Sequence, residues 1–340
     1  MYAAVHLVKR ACWWGRLGCL VGLLLMVGLI PQTRAEEPLS LRVGVLNFGT
    51  VSWEMHIIGA HQLDKKRGLD LEIVPLASEN ALAVALQGGR VDAIVSDWLW
   101  VAHQRQAGRN YQFAPYSLSV GAVMVDPASG IDTLYDLEGR QLGIAGGPVD
   151  KTWLLLRAYG QRIAGIDLEA VVEPTYAAPP MINRLMLEGD LSVAVNFWHY
   201  NARLAASGMQ PLISVETMLD ELGIETVPPL LGWVFAEEWA DAQPQTLARF
   251  LEASYEAKAI LADSDEAWES LRGMVKPENE KVFAAIRAGY RAGIPKHYGP
   301  AQIEAAEQLF IILSEQGGNL LSGDLRGLDR AIFWDGFHLP

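Results

Sequence analysis

Between residues 41 and 106 extended and helical segments alternate without interruption, and this alternation constrains the fold more than any other feature of the chain. Residues 41–46 (LRVGVL) form an apolar run of strand length, followed by a loop at 47–50. Residues 52–66 carry Trp53, Ile57, Ala60 and Leu63 at helical spacing, with Gly68 as a stop. Residues 71–75 predict a second strand, and 79–87 a helix ended by Gly88 and Gly89. Residues 91–95 (VDAIV) predict a third strand, and 97–106 a helix ended by Gly108. Strands joined by helices run parallel, because a parallel pair needs a long crossover. The order therefore predicts an α/β fold with helices on both faces of a parallel sheet.

A second round begins near Pro127. Residues 134–137 read as a short helical turn, 141–145 as a strand and 150–164 as a helix. Residues 168–174 read as a strand, 179–188 as a helix, 191–197 as a strand, 199–207 as a helix and 211–215 as a strand. The apolar run 228–235 is placed to return the chain to the first unit. From Pro244 the pattern is helical, in segments 245–262, 264–274, 278–292 and 300–316 separated by Asp, Pro or Gly. No fixed-period repeat is visible.

The first 35 residues stand apart. They hold the cations Lys9, Arg10, Arg16 and Arg34 and no Asp or Glu. Their apolar stretch, 20–30, is too short to span a bilayer and is broken by Pro31. Thr33 and Ala35 supply small residues at the −3 and −1 positions, which predicts an export signal cleaved after Ala35. An uncleaved anchor using 17–30 is the alternative. The only cysteines, Cys12 and Cys19, lie inside this leader, so the remaining chain has no disulfide and no thiolate metal site. At 51% hydrophobic and 20% charged the body is globular, and its length suits about two domains. A formal net charge of −13 excludes a nucleic-acid binder and a protein attached to anionic lipid.

The element order, together with GGRVDAIVSDWLWVAHQRQAG, DLEGRQLGIAGGPVDKTWLLLRAYG, LEGDLSVAVNFWHYNARLAASG and QPQTLARFLEASYEAK, resembles the periplasmic solute-binding proteins of ABC importers. The similarity is to the branch for alkanesulfonates, taurine, nitrate and thiamine-precursor pyrimidines, and it covers about residues 40–315. It implies a two-lobed periplasmic binding protein of type II, with parallel-sheet lobes joined by crossing strands. Residues 36–125 and 236–340 would form lobe 1 and residues 126–235 lobe 2. It also implies a small-molecule ligand held between the lobes, delivery to an ABC permease in the inner membrane, a monomeric state, no cofactor and no catalysis. A ligand-sensing or carrier module of the same fold remains the alternative.

In open α/β sheets ligands lie beyond the carboxyl ends of the strands. The candidate ligand-binding residues there are Asn47, Thr50 and Trp53 after the first strand, with Gly49 admitting a close backbone approach. Asp97, Trp98 and Trp100 follow the third strand. Asp97 is also placed as a helix cap, and the two tryptophans point different ways. Gly146 and Gly147 lead to Lys151 and Trp153 at a helix start, where free amides attract anions. Pro148 removes one donor there and Asp150 adds a negative charge. Asn196 and Trp198 follow the strand at 191–197, and Tyr176 and Trp233 complete the set. The tryptophans favour a planar or cationic ligand, so a pyrimidine-like heterocycle, a sulfonate and a quinone-cofactor-like heterocycle are the options. HExxH, a GK[ST]-ended phosphate loop, GxGxxG and GxSxG are all missing, which argues against an exported enzyme.

Overall fold

The computed structural model describes residues 39–47, 49–321, 325, 327–336 and 339. The leader read from residues 1–35 lies outside them. Strands β1 (Leu39–Leu46), β2 (Leu69–Leu76), β3 (Ala93–Asp97) and β4 (Tyr111–Ser117) come first. Strands β5 (Ala122–Val125), β6 (Gln141–Ala145), β7 (Glu173–Ala177), β8 (Val193–Asn196), β9 (Gln210–Ser214) and β10 (Leu231–Ala236) follow. They form two five-stranded sheets of the same design, β2-β1-β3-β10-β4 and β7-β6-β8-β5-β9.

The sheets are mixed rather than purely parallel. In each, three parallel strands are followed by one antiparallel strand, β10 in the first and β5 in the second. Those two are the strands that cross between sheets. Strand β5 enters the second sheet straight after β4, and β10 brings the chain back. Residues 122–125, placed at the end of the first unit from sequence, thus pair within the second sheet.

Helices α1 (Thr50–Ala60), α2 (Glu79–Gln87) and α3 (Trp98–Gln106) serve the first sheet. Helices α4 (Lys151–Tyr159), α5 (Leu168–Val171), α6 (Pro179–Glu188), α7 (Trp198–Ala206) and α8 (Val215–Glu221) serve the second. Then come α9 (Glu237–Ala242), α10 (Pro244–Asp263), α11 (Asp265–Val275), α12 (Glu280–Ala292) and α13 (Pro300–Leu321). Side chains cap many of the starts: Ser78 accepts from the Ala81 N–H, Asp97 from Trp100, Asp150 from Trp153 and Asn279 from Val282.

Three elements differ from the sequence pattern. Strand β4 contains Pro115 and lacks polar alternation; it is an edge strand, where a missing N–H is tolerated. Residues 168–174 are helix α5 followed by the edge strand β7, not one strand. Helix α8 begins at the Ser214 cap and buries Val215, Met218 and Leu219 at i, i+3 and i+4.

The C-terminal helices do not all pack on the first sheet. Ala305, Leu309, Phe310 and Leu313 of α13 share one buried cluster with Trp153–Leu156 of α4, with Ile94 of β3 and with Trp98 of α3. Arg162 pairs with Glu315 over the same contact. Helix α13 therefore joins the two sheets on one side.

Strand β10 lies tightly against β4 at Gly232. A Cβ on Gly232 would lie 2.5 Å from the Ala114 carbonyl oxygen and press on the Phe113 ring. Gly232→Ala is expected to cost about 1–3 kcal/mol of stability, read from urea denaturation midpoints at unchanged slope.

Candidate functional site

The loop after β1 turns sharply into α1. Gly49 sits at φ 119°, a conformation that suits only glycine, and Ser52 Oγ donates to its carbonyl at 2.6 Å. One turn on, the fully buried Glu54 pairs with Lys258 of α10. Ser254 Oγ donates to Glu54 Oε1 at 2.5 Å, and the Tyr290 hydroxyl donates to Oε2 at 3.3 Å. Trp233 Nε1 in turn donates to Ser254 Oγ at 3.1 Å. The Lys258 ammonium lies 4.1 Å from the centre of the Tyr116 ring. Burial drives the Lys258 pKa down, and the attraction of Glu54 does not restore it. This network clamps α1, and with it the exposed Asn47 and the Trp53 indole, which packs edge-on against Trp268 at 5.9 Å.

The facing wall is built by α6 and α7. Asn196 Nδ2 donates to Asn183 Oδ1 at 2.8 Å and to the Pro179 carbonyl at 3.1 Å, and its Oδ1 accepts from the Phe197 N–H at 2.8 Å. Asn183 Nδ2 donates to the Tyr200 carbonyl at 3.0 Å, and Asn201 Nδ2 to the Asn196 carbonyl at 2.9 Å. His199 lies between the rings of Trp198 and Tyr200, at 5.5 and 4.5 Å. Burial, with a smaller push from Arg203, lowers its pKa to about 4, so the imidazole is neutral at pH 7. Its Nδ1 has no hydrogen-bond partner among the described residues.

Between the two walls lies a groove of about 780 Å³. Asn47, Gly49, Ser52 and Trp53 line one side, and Asn183, Arg184, Glu188, His199, Tyr200 and Arg203 the other. Met274, Val275, Lys276 and Glu278 close one end. Arg203 spans that end, donating to Glu278 at 2.5 Å and to the Val275 carbonyl at 2.8 Å.

Nearer the strand ends the sheets touch. Asp97, the cap of α3, accepts from Lys151 Nζ at 2.6 Å, and Lys151 is the first residue of α4. Burial lowers the Lys151 pKa, but Asp97 and Asp150 outweigh it and hold it above the ordinary lysine value. Burial raises the Asp150 carboxyl to about 6 despite the hydrogen bond from the Trp153 N–H. Gly146 and Gly147 turn the chain into this point at φ 91° and 134°.

Of the residues singled out from sequence, Asn47 and Trp53 border the groove. Thr50 and Trp198 line a much smaller cavity beside Tyr116 and Lys258. Asp97 and Lys151 meet each other, and the Asn196 side chain is held by protein partners. Trp98, Trp153 and Trp233 are buried in the core, which differs from the expectation of a tryptophan-lined cleft. Trp98 and Trp153 stand at helix starts, whose side chains tilt back onto the sheet, and Trp233 lies within β10 between Tyr116 and Phe250. Trp100 packs on Tyr111 at 5.3 Å, and Tyr176 is exposed on edge strand β7. Asn183, His199, Tyr200 and Arg203 were missed. His199 and Arg203 share a helix face at i, i+4, but the partnership of α6 with α7 is tertiary.

A model of the NMT1/THI5-like family matches residues 64–267, more than half of the sequence. The chain belongs to the NMT1/THI5-like family. No curated protein matches it significantly. Among solved structures it is similar to the alkanesulfonate-binding protein SsuA from Xanthomonas axonopodis pv. citri bound to MOPS, at 18% identity and a TM-score of 0.67, covering 88% of this chain and 99% of that one. The periplasmic aliphatic sulphonate-binding protein SsuA from Escherichia coli matches at 20% identity and 0.67, covering 84% and 94%. The ligand-binding component of an ABC-type import system from Staphylococcus aureus, with zinc bound, matches at 14% and 0.60, covering 87% and 96%. The fold of this NMT1/THI5-like protein is thus that of the two-lobed periplasmic binding proteins. Among its described residues no helix is long and apolar enough to cross a membrane, and no group of three metal-ligating side chains occurs.

Two outcomes follow for this NMT1/THI5-like protein. Lys258→Met strands the Glu54 carboxylate and is expected to cost about 3–5 kcal/mol in chemical denaturation. Acidification from pH 6.5 toward 4 protonates His199 only in the unfolded state, so its contribution to stability falls, by at most about 1.4 kcal/mol per pH unit. Asp150, whose folded pKa is raised, acts in the opposite sense between its ordinary carboxylate pKa and about 6. The difference between wild type and His199→Gln isolates the histidine, and its pH slope is the measurement.

Proposed function

We propose that this protein is an exported solute-binding protein that captures a small organic molecule between its two sheets and presents it to an ABC permease in the inner membrane. The carrying observation is the 780 Å³ groove, whose walls come from α1 on one sheet and from α6 and α7 on the other. Its size suits a small ligand. Tyr200 offers aromatic surface beside the edge of the largely buried Trp53, and the exposed Asn47 supplies polar recognition. A pyrimidine-like or larger heterocycle fits these groups best; a sulfonate, as held by the SsuA relatives, and a quinone-cofactor-like heterocycle are the other options.

Each sheet with its helices forms one lobe, and the hinge lies in the crossing segments at 118–121 and 222–230. Closure is a population shift driven by contacts that the ligand makes with both walls at once. The leader at 1–35 is removed on export to the periplasm, and the mature protein works as a monomer without catalysis.

Native mass spectrometry of protein purified without denaturation, followed by a thermal-shift screen of heterocycles and sulfonates, tests this reading. A solute-binding protein shows a melting temperature that rises with ligand concentration. With the solute in hand, Asn47→Ala and Tyr200→Ala should each weaken binding about tenfold or more, about 1.4 kcal/mol, in titration calorimetry. Unchanged affinity in both removes the groove as the binding site.

A further inference from the structure

The beginning of α4 is where a helix N-terminus and a lysine come together at a strand end, the usual ingredients for holding an anion. In this chain each of them is already claimed. The Asp150 carboxylate accepts the Trp153 N–H at 2.9 Å, which satisfies a free amide of the first turn. Pro148, in the approach loop, has no N–H to give. The Lys151 ammonium is held by Asp97 at 2.6 Å, across from the other sheet. Glu79, at the start of α2, adds a third carboxylate close enough to act on both Asp150 and Lys151. One cation thus faces three carboxylates, and an oxoanion arriving here meets net negative charge and has to displace Asp97 to reach Lys151.

Resting on the solute-binding reading above, the geometry points to Asp97 as a specificity-determining residue: by claiming Lys151 it bars oxoanions from the strand-end side of the cleft, so that the solute presents a neutral or cationic group there. Asp97 is the bound anion of this site, built into the chain. A ligand donor, such as a heterocyclic N–H or an amine, meets carboxylate oxygens whose remaining lone pairs can accept beside the Trp100 N–H and Lys151. A sulfonate or sulfate finds none of the free cations it needs. The role requires the carboxylate charge and not the side-chain shape, because the same residue also caps α3 through Oδ1.

Asp97→Asn separates the two roles, since asparagine caps a helix as well as aspartate does. The probes are sodium methanesulfonate and sodium sulfate, titrated against sodium chloride at matched ionic strength and followed by thermal shift and calorimetry. Wild type is expected to show no response beyond that of chloride. Asp97→Asn is expected to gain saturable binding of at least one probe, and Asp97→Asn combined with Lys151→Met to lose it. Saturable oxoanion binding by the wild type overturns the proposal and needs no variant. A folded Asp97→Asn that gains no binding overturns it as well. The solute-binding reading fails by a different result: wild type that carries no solute after native purification and responds to no compound in the wider screen.

Discussion

The pairing of Glu54 with Lys258 underlies the site. Two charges taken from water, on residues 204 positions apart, are stable only when each finds the other and the remaining oxygens are hydrogen-bonded. Ser254 and Tyr290 complete that requirement from α10 and α12. The consequence is positional. Helix α1 cannot slide or rotate without stranding a buried carboxylate, so the loop from Asn47 to Trp53 is delivered to the groove in one orientation. Trp233 Nε1 ties crossing strand β10 to the same network through Ser254. The element that joins the sheets and the element that lines the groove are thereby fixed by one cluster.

The second constraint is topological. Strands β5 and β10 each lie antiparallel in the sheet they enter, fourth in order, with an edge strand beyond. Both crossings therefore run close to the junction of the sheets. Residues there have no room: a Cβ on Gly121 would strike the Asn196 carbonyl, and one on Gly289 would lie 3.0 Å from the Trp198 ring. On one side α13 buries Phe310 and Leu313 in the cluster that contains Trp98 and Trp153. On the other, α7 packs on α12, with Trp198, Ala202 and Ala206 against the cluster that holds Phe283, Ile286 and Tyr290, and Arg203 pairs with Glu278 at its edge. Apolar packing resists separation in every direction, whereas a charge pair that reaches water exchanges for hydration at little cost. The two sheets are thus tied by apolar contacts both along α13 and through the packing of α7 on α12.

How much of this was legible in the sequence depends on the range of the interactions. The alternation from β1 to α3 and from β6 to α7 is local, carried by apolar spacing, glycine stops and caps, and the sequence reading found it. Strand β4 was hidden because its context is an edge: Pro115 reads as a break unless the missing neighbour is known. The run at 228–235 was placed as the return crossing, but the antiparallel direction of β5 and β10 was not, since nothing in AVMV or LGWVFA records the direction of a partner strand. The sequence placed Asn47, Asp97, Lys151 and Asn196 at strand ends, where they stand, but not the partners that hold them. Asn183 and His199 became visible only through the packing of α6 on α7. The tryptophans misled for a local reason. Trp98 and Trp153 follow strand ends and were candidates for the cleft, whereas the first turn of a helix aims such side chains back at the sheet.

The distribution of charge gives the site its character. The chain carries a formal charge of −13, and most cations near the groove and the strand ends are spent on partners within the protein, Lys151 on Asp97, Arg203 on Glu278 and Arg184 on Glu188, with Lys276 at the groove's end the exception among the described residues. A solute that relied on any of these would first have to break an ion pair, and the attraction gained would be offset by the one lost. The neutral groups carry no such cost. His199 is held uncharged by burial with its Nδ1 enclosed, and Tyr200 offers aromatic surface beside the edge of Trp53. Recognition in such a groove falls to shape, stacking and directed hydrogen bonds, which discriminate among heterocycles of similar charge. The acidic surface then acts at long range, favouring the approach of neutral and cationic solutes over anions before any contact is made.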